Sequence, residues 1–301
     1  MSVIIVGLDL SSNLPIILSS TFDLAAEMDT FDLDCFDVDL AAEAIGSSAT
    51  TILSIITKLR KEARPATFYV KFTNVPPQVS DKELSKGCRQ MFNPENRTLI
   101  VTVPSVQHEA AAGNFSRFFT QTTIAANIPI REFSSCGSTR VKGICCSKEP
   151  DGSFYVTNFP STGGKQWPTV VVEVGLSESK RKPRADAAWW IANSKGEVNV
   201  VITISISKSI AKVVFEAIVL IHPTPMLRSG PRYQSTVRQS IVLSRPLGGQ
   251  NKPISTTPQT PLRISCQELL RRSAVPPETD PDIPVQTLED IAWFIWKFQD
   301  V

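Results

Sequence analysis

The chain has 301 residues, of which 42% are apolar and 20% charged, with 22 prolines. That is enough for one large domain or two ordinary ones, with a sizeable core and irregular segments around it. No run of about 18 apolar residues occurs, which argues against a membrane-spanning helix.

The apolar start, MSVIIVGLDL, lacks a basic region and is interrupted by Asp9, so no secretory signal is expected. Cysteines 35, 88, 136, 145, 146 and 266 form no CxxC pair, and the only histidines are His108 and His222. A structural zinc site is therefore not expected, and a reduced cytoplasmic or nuclear setting fits best. Formal net charge is +2, but residues 1–57 carry nine acids and no Lys or Arg, leaving +11 on the remainder. Such asymmetry fits a polyanion-facing body with an acidic arm, or simply a solvated surface with a variable tail.

In chain order, residues 1–65 read as an acidic extension. Within it, DTFDLDCFDVDLAAEA mixes aspartates with apolar residues. Part of that stretch alternates like a half-buried strand, and the same pattern occurs in interaction segments without fixed structure. Residues 47–62 read as a helix with a serine start and basic Lys58, Arg60 and Lys61 at its end. ATFYVKFTNV (66–75) reads as a strand. SDKELSKGCRQMF (80–92) has the capping-box spacing of Ser80 and Glu83 and predicts a helix. A strand at 97–103 follows, then a long helix opening at Pro104, with Phe115, Phe118 and Phe119 on its apolar face. Short strands are expected near 130–134 and 139–144, then at 152–159. The valine-rich strand PTVVVEVG precedes a helix opening at Pro183 and reaching about Ser194. Strands at 197–206 and 212–221 follow. Residues 222–263 carry seven prolines, six Lys or Arg and no acid, which reads as a basic linker around one strand, RQSIVLS. Residues 264–301 read as a helical tail whose Leu288, Ile291, Ala292, Ile295 and Trp296 dock on the core. The domain itself is expected over residues 66–221.

Three acids fall at informative places. Glu109 lies in the long helix, Asp151 at the start of a strand, and Glu173 among four valines inside another. Asp151 before Gly152 also fits an ordinary turn, and Glu109 also fits a solvated helix face. Glu173 is the hardest to treat as incidental. A buried carboxylate is costly unless it binds a metal or is paired, here with an arginine such as Arg140 or Arg184. His108 reads as a surface or packing histidine. The basic residues Lys180, Arg181, Lys182 and Arg184, together with Arg140, Lys142, Lys148 and Lys165, form a candidate phosphate-contacting set.

The ordered set of motifs resembles the PD-(D/E)XK nuclease superfamily. The segments Pro150-Asp151-Gly152-Ser153 and VEVGLSES (172–179) are similar to its Uma-type branch. HEAA, WPTVVVEVGLSES, RADAAWW and NSKGEVNVVI also look like a group of uncharacterised fungal proteins. The resemblance covers roughly residues 97–206. It implies an α/β, restriction-endonuclease-like αβββαβ core with a central mixed sheet flanked by helices, here with an N-terminal extension and a C-terminal helical tail. It further implies Mg²⁺ or Mn²⁺ bound by Asp151 and Glu173, assistance from Glu109, hydrolysis of phosphodiesters in DNA or RNA, and a tendency to dimerise. One departure stands out: the family's lysine, two residues after the second acid, is Gly175 here. In some relatives that lysine lies on the following helix, four residues after an aspartate, and that position is Trp190. Lys180 or Lys182 would have to act in its place. Otherwise the scaffold serves as a catalytically degenerate module that binds nucleic acid or protein.

Overall fold

The computed structural model describes residues 40–62, 67–80, 84, 87–144, 146–157, 167–176, 180–221, 233–246 and 252–299. It is a mixed α/β architecture of two mixed sheets flanked by helices.

The six-stranded sheet is built from β1 (Leu40–Ile45), β2 (Phe68–Thr73), β3 (Arg89–Asn93), β4 (Thr98–Val103), β6 (Val141–Lys142) and β7 (Ser147–Lys148), in the order β1-β2-β4-β3-β7-β6. Only its β1–β2 pairing is parallel. Helix α1 (Ala49–Lys61) starts where Ser48 Oγ accepts the Thr51 N–H at 3.1 Å. It buries Ile52 and Ile56 against Val70, Phe72, Leu99 and Val101 of the sheet. A single turn, α2 (Pro77–Ser80), follows β2.

The seven-stranded sheet contains β5 (Phe133–Ser135), β8 (Gly152–Val156), β9 (Val170–Leu176), β10 (Val200–Ile206), β11 (Lys212–Ile221), β12 (Gln234–Ser244) and β13 (Ser255–Thr257). Their order is β13-β12-β11-β10-β9-β8-β5. β9 and β10 are parallel neighbours, joined through helix α4 (Arg181–Asn193). They are buried on both faces along almost their whole length, which explains why both are dominated by Val and Ile. One face is covered by α3 (Val106–Ala125), α5 (Cys266–Leu270) and α6 (Val285–Trp296). There Phe115, Phe119, Phe154, Val172, Ile202, Phe215, Ile291 and Trp296 form the largest core. The other face packs under α4, with Val171, Trp189, Trp190, Ile191 and Val201.

Several expectations change. The single central sheet is two sheets. Residues 89–92, read as the end of a helix over 80–92, lie in strand β3, paired with β4 and β7. Gln90, Phe92 and Asn93 are enclosed there between neighbouring strands, while residues 81–83 of the expected capping box lie outside the described residues. β1 and α1, assigned to the extension, belong to the first sheet and its core. β12 and β13, assigned to the linker, extend the second sheet by two strands. The helix beginning at Pro183 starts two residues earlier, at Arg181. The tail packs on the core as expected, with α6 against α3. The acidic stretch before residue 40 and the loop bearing Lys165 lie outside the described residues.

Candidate functional site

The candidate site lies where the two sheets meet. Lys148 arrives on β7 and Arg89 on β3, both from the six-stranded sheet, while Asp151 immediately precedes β8 and Glu173 lies on β9 of the other. The β8–β9 register pairs Gly152 with Val172. Just beyond the ladder the Asp151 N–H donates to the Val172 carbonyl at 3.1 Å, which brings Asp151 near enough for its charge to act on Glu173. On the Glu173 face a polar row continues across the sheet, since Glu173 pairs with Thr203, Thr203 with Glu216, and Glu216 with Ser240. Thr203 Oγ1 and Ser205 Oγ are buried there without a hydrogen-bond partner among the described residues.

Asp151 is almost fully enclosed. Its Oδ2 accepts the Val174 N–H at 2.8 Å and lies 3.3 Å from His108 Nε2, while Oδ1 lies 3.3 Å from Arg89 Nε. Burial opposes its charge, but His108, Arg89 and the Val174 N–H outweigh it and hold its pKa down at about 2. Reciprocally, burial works against a charged His108, yet Asp151, helped by Glu109, raises it above the usual histidine range. The helix therefore presents His108, not Glu109, to Asp151. Ser105 caps α3 by accepting the His108 N–H at 3.3 Å, and this sets the phase of the first turn. Glu109 is half exposed and reaches the cluster only through Arg89, 3.0 Å away.

Glu173 is held differently. Lys148 Nζ sits 3.0 Å from Glu173 Oε1 and 2.6 Å from Asp186 Oδ1. The indole N–H of Trp190 donates to the same Glu173 oxygen. Asp186 also pairs with Lys182. Burial pushes Glu173 up to about 7; Lys148 counters this, while Asp186 and Asp151 add to it. Asp186 is lowered instead, because Lys148 and Lys182 together overcome its burial.

Gly175 has a packing reason. A Cβ placed there would lie 2.4 Å from Pro183 Cγ. The first turn of α4 rests directly on this strand position, so a side chain there would force the helix to shift. At the alternative place on the helix, Trp190 supplies the contact to Glu173 with a neutral donor. Lys180 does not approach the acid pair. Its ammonium lies 3.0 Å from Glu216, which Arg184 grips through both Nε at 2.9 Å and Nη2 at 2.7 Å. Lys182 does enter the network, through Asp186.

The expected phosphate-contacting residues are dispersed. Lys148 is 4% exposed and part of the ion network. Arg140 is engaged by Glu149 at 2.8 Å and Arg184 by Glu216. Lys142 and Arg181 stand exposed. Arg89, His108 and Asp186 join the cluster without having been singled out for it, and Lys148, an expected phosphate contact, lies in the ion network. The only available signal was proximity in sequence: Lys148 lies three residues before Asp151, and Asp186 four before Trp190.

The residues do not fit a resident divalent ion as arranged. Mg²⁺ needs accessible carboxylate oxygens in near-octahedral array. Here four carboxylates, Glu109, Asp151, Glu173 and Asp186, already face Arg89, His108, Lys148 and Lys182. Among the described residues no group of three or more His, Cys, Asp or Glu converges for an ion.

No family model matches the chain, and no curated protein matches it. Among solved structures it is similar to a protein from Anabaena variabilis described as a "putative nuclease belonging to DUF820". That likeness has a TM-score of 0.37 and 10% identity, covering 68% of this chain and 90% of the other. A superposition that loose leaves the functional argument to the residues of the site.

Proposed function

We propose that this chain is a nuclease-like scaffold in non-hydrolytic use, a module that binds nucleic acid without cleaving it. The observation that carries the reading is the internal neutralisation of the acid pair, Asp151 by Arg89 and His108, and Glu173 by Lys148 and Trp190. The cover of Pro183 over Gly175 supports it, because a side chain at the position that would carry the orienting lysine would force the helix to shift. The scaffold part rests on the ordered motifs around Asp151 and Glu173, and the finer likeness to the Uma-type branch rests on those motifs alone. Nucleic acid is the ligand class favoured by the excess of +11 outside residues 1–57. Lys142 and Arg181 flank the network from β6 and the start of α4.

A second reading is a Mg²⁺- or Mn²⁺-dependent phosphodiester hydrolase. It is favoured by the nearness of two buried acids, Asp151 and Glu173, with the Lys148 ammonium 3.0 Å from Glu173. One experiment separates the two: anisotropy with labelled single- and double-stranded DNA and RNA, in EDTA and in Mg²⁺ or Mn²⁺, followed by electrophoresis of the same samples. Salt-sensitive binding that ignores the metal, with intact substrate, is expected. Metal-dependent cleavage that disappears in Glu173→Gln would establish the hydrolase instead. Failure to bind any of these polyanions would remove nucleic acid as the ligand.

A further inference from the structure

Lys148 is the least expected member of the cluster. Its Nζ bridges a carboxylate from the sheet, Glu173 at 3.0 Å, and one from the helix, Asp186 at 2.6 Å. The residue is 4% exposed, and its ammonium lies 5.5 Å from the Trp190 ring and 5.8 Å from the Trp189 ring. Asp151 is close enough to Glu173 for its charge to help raise the Glu173 pKa. Glu173 of β9 and Asp186 of α4 thus share a single lysine cation delivered by the other sheet.

We infer that Lys148 is a tethered counter-ion occupying a latent divalent-cation site formed by Glu173 and Asp186. The inference rests on the non-hydrolytic reading above and goes further, since it names the group that keeps a metal out. An ammonium and a metal ion compete for the same oxygens. The ammonium is covalently attached, so its effective concentration at the site does not depend on ions in solution. Removing it leaves hard oxygen donors with an uncompensated negative charge, the donor chemistry that selects Mg²⁺ or Mn²⁺. Lys182 does not replace it, because Lys182 holds the other oxygen of Asp186, Oδ2.

The test is Mn²⁺ titration, by calorimetry and by the loss of the free-ion paramagnetic signal, of the full chain and three variants. Lys148→Met keeps the length of the stem against the two tryptophans and removes the charge. Lys148→Arg keeps the charge. Lys148→Met combined with Glu173→Gln removes a proposed ligand as well. Lys148→Met is expected to gain one Mn²⁺ site at least about tenfold tighter than anything in the wild type. Lys148→Arg and the double variant gain none. Should Lys148→Met be unfolded in EDTA, Mn²⁺ is expected to restore its circular dichroism, and failure to do so at saturating Mn²⁺ would overturn the inference. Equal Mn²⁺ affinity in wild type and Lys148→Met would overturn it as well. If the wild type is inert and no variant gains metal, the inference falls alone. If the wild type cleaves nucleic acid with Mg²⁺, the parent reading falls with it.

Discussion

Replacing Gly175 by alanine probes the contact that removes the lysine from its familiar place. The new Cβ would lie 2.4 Å from Pro183 Cγ and 3.1 Å from Cδ, where carbon atoms pack best at about 3.5–4.0 Å. The proline ring is rigid, so the first turn of α4 must retreat by about 1 Å to reach ordinary contact. Overpacking of this kind costs about 1–3 kcal/mol. Lower entropy of the unfolded alanine chain returns about 0.4–1 kcal/mol, so a net loss of about 1–2 kcal/mol is expected. The measurement is urea unfolding of the wild type, Gly175→Ala, Pro183→Ala and the double variant. Pro183→Ala removes Cγ and Cδ, so the double variant should recover at least about 1 kcal/mol of coupling. A Gly175→Ala stability within about 0.5 kcal/mol of wild type, or strict additivity, would show that the helix does not press on this position.

Two further predictions follow from the buried charges. Glu173 is raised from 4.5 to about 7, so the folded state holds an extra proton between those values and stability falls as pH rises through that window. The limit is about 3 kcal/mol. His108, also raised, adds to the loss as pH passes above 6.5, while lowered Asp151 and Asp186 withdraw their contribution only as pH falls below about 4. Unfolding at pH 5, 6, 7 and 8 should therefore show declining stability that Glu173→Gln flattens, and a rise over that range would refute the assignment. Arg184→Met should cost about 2–3 kcal/mol in the same assay, because it strips two contacts from a fully buried Glu216 whose charge is held by Arg184 and Lys180. A loss below about 0.5 kcal/mol would mean that Lys180 alone suffices.

Much of the second sheet was legible because its physics is local. Val170–Leu176 and Val200–Ile206 are strands that read as valine- and isoleucine-rich stretches, and the tail's helical stripe docks where its spacing requires. The stretch around Arg89–Asn93 was not legible, since capping-box residues signal a helix start whether or not neighbouring strands later claim the chain. The strand read at RQSIVLS is the second half of β12, but its place in the sheet was not legible, because its partner β11 supplies a ladder that composition cannot announce. At the site, Asp151 was singled out by motif order and Glu173 by motif order and its place among valines. The place of Arg89, His108, Lys148 and Asp186 in the cluster was not legible, because they come from β3, α3, β7 and α4 and share no spacing rule.

The sequence by itself determined that a carboxylate at position 173 would be buried, because valines on both sides leave the strand no solvent-facing side. It also determined that some cation would have to answer it, since an isolated buried charge is too costly to keep. Which cation answers, a lysine from the other sheet in place of an arginine or a metal ion, was decided only by tertiary structure. Distances of about 3 Å between groups far apart along the chain are set by how sheets and helices pack, and no local pattern encodes that packing.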